Sequence, residues 1–321
     1  MAERWSSGKV KYSQISVFYP EGADKTDSSV VSMLENHIDS SLTKNFQAES
    51  KNARLWNDAY SSVSSGASAQ KDDSSKETSN VIVTGVGGHF FDFHPLELVN
   101  GNYLYDSALR KNLAVLDEDA AWALYSSLDV TGMTLLINGK EFVVQGVVKK
   151  EKGKSISMVC PKAPAVYIYY DMLSELQLDD TLNCYEITMP SQVKGFAENL
   201  VLNYYGVDVM SQSEEDLAAA KEKMICEVVN NTDRFSFETI IKKVFSGSSS
   251  SVVTRPIAYP YWENAARITE NRLKTVLIII LCFSVYIFAV SAAFLIKKYR
   301  HRKWHISSVA DKLIKKFTYR N

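Results

Sequence analysis

Residues that could do chemistry occur along this chain, but their spacing assembles no reaction centre. Acids cluster at Asp179-Asp180 and at Glu214-Glu215-Asp216. Paired carboxylates can serve as general acid and base when a fold sets them across a substrate. Adjacent in sequence and among polar neighbours, these pairs read as solvated turns and helix starts. Before the apolar stretch only His89 and His94 lie close together among the histidines, and the scattered set reads as no metal cluster. The cysteines, Cys160, Cys184, Cys226 and Cys282, form no CxxC. Gly85–Pro95, GVGGHFFDFHP, sets paired glycines after a strand but lacks the lysine and hydroxyl residue of a phosphate loop. It reads as a backbone turn. GxSxG, HExxH and Walker motifs are absent too. The expectation is a protein that is no enzyme, with no catalytic residue, no metal and no cofactor. Asn230-Asn231-Thr232 fits a glycosylation sequon, which matters only in a glycosylating host.

The elements around these residues are organised by one apolar stretch. Thr275–Ile296, TVLIIILCFSVYIFAVSAAFLI, runs 22 residues without a charge or a proline. As a helix it would be about 33 Å long, enough to cross the hydrocarbon of a bilayer. Fourteen of its residues are Leu, Ile, Val or Phe, apolar on every face, which a helix buried in a soluble core rarely sustains for six turns.

Charge sets an orientation. The tail 297–321 holds nine Lys or Arg against the single acid Asp311. The whole chain has 36 basic and 37 acidic side chains, which leaves 27 and 36 before the span. By the positive-inside rule the basic tail is cytoplasmic and residues 1–274 lie outside. Lys297, Lys298, Arg300, Arg302 and Lys303 would meet the membrane surface at the inner side, with the lipid bilayer as partner. The stripe Ile306, Val309, Leu313 and Phe317 could lie on that surface or against a partner helix. An acidic external part argues against nucleic acid. The beginning, MAERWSSGKVKYSQ, has no apolar signal region, so an N-terminal transmembrane helix preceding Met1 is the expected means of export.

Residues 1–274 are long enough for a substantial core. With three cysteines outside the span, that core rather than disulfides must hold it. Tyr12–Tyr19 alternates as a strand. Asp27 or Ser28 caps a helix carrying Val30, Val31, Leu34, Ile38 and Leu42, and a second strand falls around Arg54–Tyr60. Residues 61–80 are serine-rich and polar and read as a mobile loop. Asp117 caps a helix whose buried side is assigned to Ala121, Trp122, Leu124 and Tyr125. Residues 131–149 form a hairpin turning on Asn138-Gly139. Strands follow at Tyr167–Tyr170 and Cys184–Met189, and helices at Asp171–Leu176, Gln192–Tyr205 and 213–225. Residues 246–251, SGSSSS, read as a flexible linker. From Tyr261 a helical pattern runs without proline or glycine into the span. Tyr261, Trp262, Glu263 and Arg267 are the candidate partner contacts at this membrane-proximal joint.

Three stretches carry a family resemblance: GVGGHFFDFHPLELVNGNYL, NLAVLDEDAAWALY and DVTGMTLLINGKEFVVQGVV. In order and character they resemble the MacB-like periplasmic core domain of ABC-transporter permeases. CYEITMPSQVKGFA and AYPYWENAARITE are similar to segments of a Gram-positive branch of those permeases. The resemblance implies an α+β extracytoplasmic domain of strand–helix–strand units with an inserted subdomain, carried between spans. It also implies an ABC ATP-binding subunit and other membrane subunits as partners. The chain departs from a full permease in having one span, and one helix cannot line a transport path. The expected function is a non-catalytic, permease-like component that couples events at the external domain to membrane helices and an ATPase. The alternative is a single-span surface sensor or adhesion-type binding protein sharing the fold.

Overall fold

A computed structural model of the chain describes residues 11–20, 26–45, 54–71, 77–207, 226–246 and 257–318. They divide into two compact units, Met1–Ser236 with Ser250–Thr269, and Phe237–Ser249 with Glu270–Asn321. The division within the C-terminal helix falls between Thr269 and Glu270, and a short helix after Ser236 belongs to the second unit.

The first unit opens with β1 (Tyr12–Phe18) and α1 (Ser28–Asn45). The Ser29 N–H donates to Asp27 Oδ1 at 2.9 Å, satisfying one of the donors a helix start leaves open. Val31, Leu34, Ile38 and Leu42, three or four residues apart, are buried along one stripe. Next come β2 (Asn57–Lys71) and β3 (Glu77–Gly88), paired antiparallel. The reading of 61–80 as a mobile loop is therefore corrected: its described residues lie in these strands. Serine-rich sequence has weak strand propensity, but here small side chains are what the packing admits. Ser61, Ser62, Ser64, Ala67 and Ala69 are buried, and irregularities at 64–69 bend the strand.

Then follow α2 (Phe90–Phe93), β4 (Leu98–Gly101), β5 (Leu113–Asp117), α3 (Glu118–Tyr125), β6 (Thr134–Ile137) and β7 (Lys140–Val148). Asp117 Oδ1 accepts from the Ala120 N–H at 2.7 Å, the cap expected of it. Trp122, assigned above to the buried side of α3, is instead 55% exposed. Ala120, Ala121 and Leu124 take the inner face, and a residue one position beyond Ala121 turns outward at 100° per step. The β6–β7 turn has positive φ at Asn138 and Gly139, as its sequence predicts. The unit continues through α4 (Ile156–Val159), β8 (Ala165–Tyr169), α5 (Met172–Glu175), β9 (Cys184–Pro190), α6 (Phe196–Tyr204) and β10 (Glu227–Asn230).

The strands form one mixed sheet in the order β10-β1-β9-β2-β3-β8-β5-β7-β4. β6 pairs with both β7 and the far end of β2, so β2, β3, β8, β5, β7 and β6 close into a ring. Closure leaves those strands no free edge within the ring. The strands β4 to β7, between β3 and β8 in sequence, belong to the same sheet. Beyond the ring, β9, β1 and β10 continue from β2, with β9 joining the two ends of the initial strand–helix–strand unit.

The second unit contains α7 (Phe237–Phe245) and the greater part of α8 (Tyr261–Thr318). One stretch of α8 is long and apolar enough to cross a membrane, with mean hydropathy 2.7 in its most apolar window. Side chains from Ile278 to Ile296 on it are largely exposed, as a lipid-facing helix requires. The helix expected at 213–225 and the linker at 246–251 lie outside the described residues, apart from Ser246.

Candidate functional site

Cross-strand partners in an antiparallel sheet share a face. Ser16 stands opposite Glu186, and Phe18 opposite both Cys184 and Glu227, so these residues of β1, β9 and β10 line one side of the sheet. The other side is filled by α1 and α6 with Ile15, Val17, Tyr185 and Ile187. The first side is covered by residues 257–267, the entry to α8. Ile257 and Tyr259 pack on Phe18 and Cys184, and the Tyr259 ring meets Phe18 edge-on at 5.4 Å.

Across this covered face runs a continuous chain of polar contacts. His94 is hydrogen-bonded through Nε2 to Glu186 Oε2, and Ser16 Oγ donates to Glu186 Oε1 at 3.0 Å. Asn231 Nδ2 donates to Ser16 Oγ at 2.7 Å, and Arg234 Nη1 to Asn231 Oδ1 at 3.0 Å. Arg234 then grips both oxygens of Glu263, at 2.7 and 2.9 Å. Arg267 Nε joins the same carboxylate at 2.7 Å while its Nη2 reaches Glu227 Oε1 at 2.8 Å. Tyr259 donates to the other oxygen of Glu227, and its ring lies 3.8 Å from the Arg267 guanidinium.

Glu186, Arg234, Glu263 and Arg267 are all buried. Buried charges persist only when paired and hydrogen-bonded, and here each acid meets a cationic or donor group. Burial by itself would raise the Glu186 carboxyl. The facing His94 charge and the bonds from His94 and Ser16 outweigh it and hold Glu186 below its ordinary value of 4.5. Although serine, histidine and glutamate meet here, the Ser16 hydroxyl donates to the carboxylate rather than to His94. That geometry does not activate a nucleophile. What it does is lock the first turns of α8 to three strands and to α2.

Aromatic packing reinforces the lock. The Trp262 ring lies 4.5 Å from His94 and 5.8 Å from Phe90. Tyr261 is hydrogen-bonded to Tyr167 of β8. Gly87, in the segment read above as a turn, is the next-to-last residue of β3. A Cβ there would lie 2.1 Å from Tyr60 Cζ, so glycine lets that ring cover the strand. Beside the joint lies a cavity of about 270 Å³ whose lining includes Thr84, Asp117, Cys160, Tyr167, Trp262 and Asn264. Trp262 Nε1 and Asn264 Oδ1 are buried without a hydrogen-bond partner. So is Asp117 Oδ2, although Lys150 Nζ lies 3.3 Å away. Among the described residues no group of His, Cys, Asp and Glu is placed to hold a metal ion.

The four residues singled out at the joint are thus brought together, but with different exposures. Tyr261 and Trp262 are half-buried, while Glu263 and Arg267 are 3% and 5% exposed and direct their charges into this chain's own strands. Lys297, Lys298 and Arg300 are exposed on α8 just past the apolar stretch, and Arg302 and Lys303 follow on the same helix. Sequence reasoning missed His94, Glu186, Arg234 and Glu227. The one available signal was Glu186, a charge in an otherwise apolar strand, CYEITM.

Comparison with known proteins gives a family match and several similar solved structures. A family model described as the MacB-like periplasmic core domain matches residues 21–225, more than half of the chain. Among solved structures, the periplasmic region of MacB from Actinobacillus actinomycetemcomitans aligns at 17% identity and a TM-score of 0.47, covering 74% of this chain and 94% of that one. The extracellular domain of the noncanonic ABC-type transporter YknZ from Gram-positive bacteria aligns at 15% identity and a TM-score of 0.41, covering 68% of this chain and all (100%) of that one. Comparison with curated proteins gives no match. On the family match, this α+β chain, with one membrane-length apolar helix among its described residues, belongs to the MacB-like periplasmic core domain family of ABC-transporter permease-type proteins.

Proposed function

We propose that the chain is a non-catalytic, membrane-anchored component of an ABC transporter, coupling ligand or partner binding at its folded domain to membrane helices and an ATPase. The carrying observation is the buried relay from His94 to Arg267. It ties the domain's strands to the first turns of a helix that continues, unbroken through residue 318, across the apolar stretch. A shift at the strands would change the relay's geometry, and the two arrangements would differ in free energy as a population shift requires. In this reading Glu263 and Arg267 are the positioning pair behind the joint. Tyr261 and Trp262 are the surface offered to other membrane subunits. The folded domain lies outside the cell membrane and the C-terminus in the cytoplasm, supported by the nine basic residues after the span. Lys297, Lys298, Arg300, Arg302 and Lys303 meet anionic headgroups there.

Affinity purification of the tagged full-length chain from mild-detergent membranes tests this. Co-purification of an ABC ATP-binding subunit, with ATPase activity that depends on this chain, is the expected result. A chain recovered without any ATP-binding subunit under conditions that preserve a known transporter would overturn it.

A further inference from the structure

The second unit contains a feature that the transporter reading does not use. Helix α7, FETIIKKVF, is amphipathic: at 100° per residue Ile240, Val244, Phe237, Ile241 and Phe245 fall on one arc, and Glu238, Thr239, Lys242 and Lys243 on the remainder. One edge is engaged inside the unit. Ile240 is buried, and Lys243 Nζ lies 2.5 Å from Glu270 Oε1 of α8. The rest of the arc is bare at Phe237, in its centre, and at Phe245, on its far edge, which are 70% and 79% exposed. Two uncovered phenylalanines on so short a helix mark a contact surface.

The ion pair fixes the depth of that surface. Glu270 precedes Thr275, the first residue of the apolar stretch, by about 7.5 Å along the helix axis. The headgroup region adds about 5–8 Å to each side of the hydrocarbon. A helix held at Glu270 therefore sits at headgroup level wherever α8 crosses the membrane. We propose that α7 is an interfacial helix whose Phe237 and Phe245 insert among the lipids beside the start of the span. Lys242, exposed on its polar side and 2.6 Å from Glu238 Oε1, lies at the level of the lipid phosphates. The partner is the bilayer itself, continuous with the surface that the span already contacts. This requires only that α8 spans the membrane and stands whether or not an ATPase is coupled to the chain.

The test uses the full-length chain with Cys160→Ser and Cys282→Ala, which leaves only the buried Cys184 and Cys226. Phe237→Cys, and separately Leu109→Cys as a fully exposed control in the first unit, are labelled with an environment-sensitive fluorophore. Both are reconstituted into phosphatidylcholine–phosphatidylglycerol vesicles. At 237 the emission is expected to shift to the blue, to resist iodide, and to be quenched by lipids carrying a nitroxide near the carbonyls. At 109 it should remain open to iodide. Equal iodide quenching at the two positions would overturn the proposal. So would protection at 237 that arises only when other membrane subunits are co-reconstituted, since α7 would then be a protein contact. Phe245→Cys repeats the measurement at the other end of the helix, so that disturbance by one label cannot decide it.

Discussion

Arg234 and Glu263, distant in sequence, meet as a two-pronged ion pair in which both side chains are buried, with Arg267 sharing the same carboxylate. Removing one partner of such a pair leaves an uncompensated buried charge, which costs about 3–5 kcal/mol. Glu263→Gln would leave two guanidinium groups facing one neutral amide. The domain's stability, followed by chemical denaturation of the full chain in detergent, is expected to fall by about that amount. Lys242→Ala, which breaks the exposed Lys242–Glu238 pair, is expected to change stability by less than about 1 kcal/mol. Similar losses for the two variants would show that the relay contributes no more than a surface pair.

Glu186 gives the relay an acid limit. Its carboxyl is held below 4.5 in the folded chain, so its stabilisation is fully present above that pH and is lost as pH falls through the lower folded value. Glu186→Gln is expected to lower the melting temperature at pH 7 and to flatten its decline below pH 4.5, where the wild-type chain loses the same contribution. Parallel melting curves for the two proteins across the acid range would dismiss the role assigned to Glu186.

Asp58 behaves in the opposite sense. Burial in the α1-facing side of the sheet raises it to about 7, with Arg54 opposing and Glu35 adding to the rise. A carboxyl with a raised folded pKa favours the folded state at low pH. That contribution is present below its ordinary value of 3.8 and is lost as pH rises through about 7. Asp58→Asn cannot ionise and can still accept from the Tyr185 hydroxyl, which lies 3.1 Å from Asp58 Oδ2. The variant is expected to gain in melting temperature relative to wild type between pH 4 and pH 7, and to hold that gain above. A gap independent of pH would place Asp58 outside the titrating groups.

The parts of this architecture legible in the sequence are those with local signals. Thr275–Ile296 declares itself by length and apolarity, Asn138-Gly139 by its turn chemistry, and Asp117 by its place before a helix. β2 was illegible because serine and alanine form strands where packing demands small residues, and packing is a property of the assembled sheet. The relay was illegible for a related reason. Glu227, Arg234 and Glu263 look like ordinary solvated charges until β10 pairs with β1 and brings Glu227 and Arg234 beneath Glu263 and Arg267 of α8. Conversely, Glu263, Arg267, Glu270 and Lys274, at i, i+4 and i+3 spacings, share one charged helical face in the sequence, yet all four are buried. Spacing shows that they share a face; only the fold shows that each of them is buried.

Topology gives an independent check. A reporter fused at Asn321 is expected to behave as cytoplasmic, and Leu109→Cys to be labelled by an impermeant thiol reagent on intact cells. Labelling of 109 only after lysis would reverse the orientation. Inserting Arg at Val285 is expected to oppose membrane insertion by about 2.5–3.5 kcal/mol. Unchanged membrane extraction after several such insertions would remove 275–296 as the anchor.

The coupling role turns on the joint itself. Ala265 is buried and Ala266 half-buried on α8, two residues past Glu263 and just before Arg267. Glycine at both positions costs about 1 kcal/mol each in helix propensity and removes no charge from the relay. The folded domain should therefore survive Ala265→Gly with Ala266→Gly at a slightly lower melting temperature. If the helix transmits movement, softening the helix inside the relay, between Glu263 and Arg267, is expected to reduce stimulation of the partner ATPase by far more than the small loss of stability explains. Glu263→Gln would be a poorer probe, since it damages the domain as well. Unchanged stimulation with a near-normal melt would leave α8 as a plain tether. The folded domain would then be a surface-displayed binding module rather than a coupled transporter part.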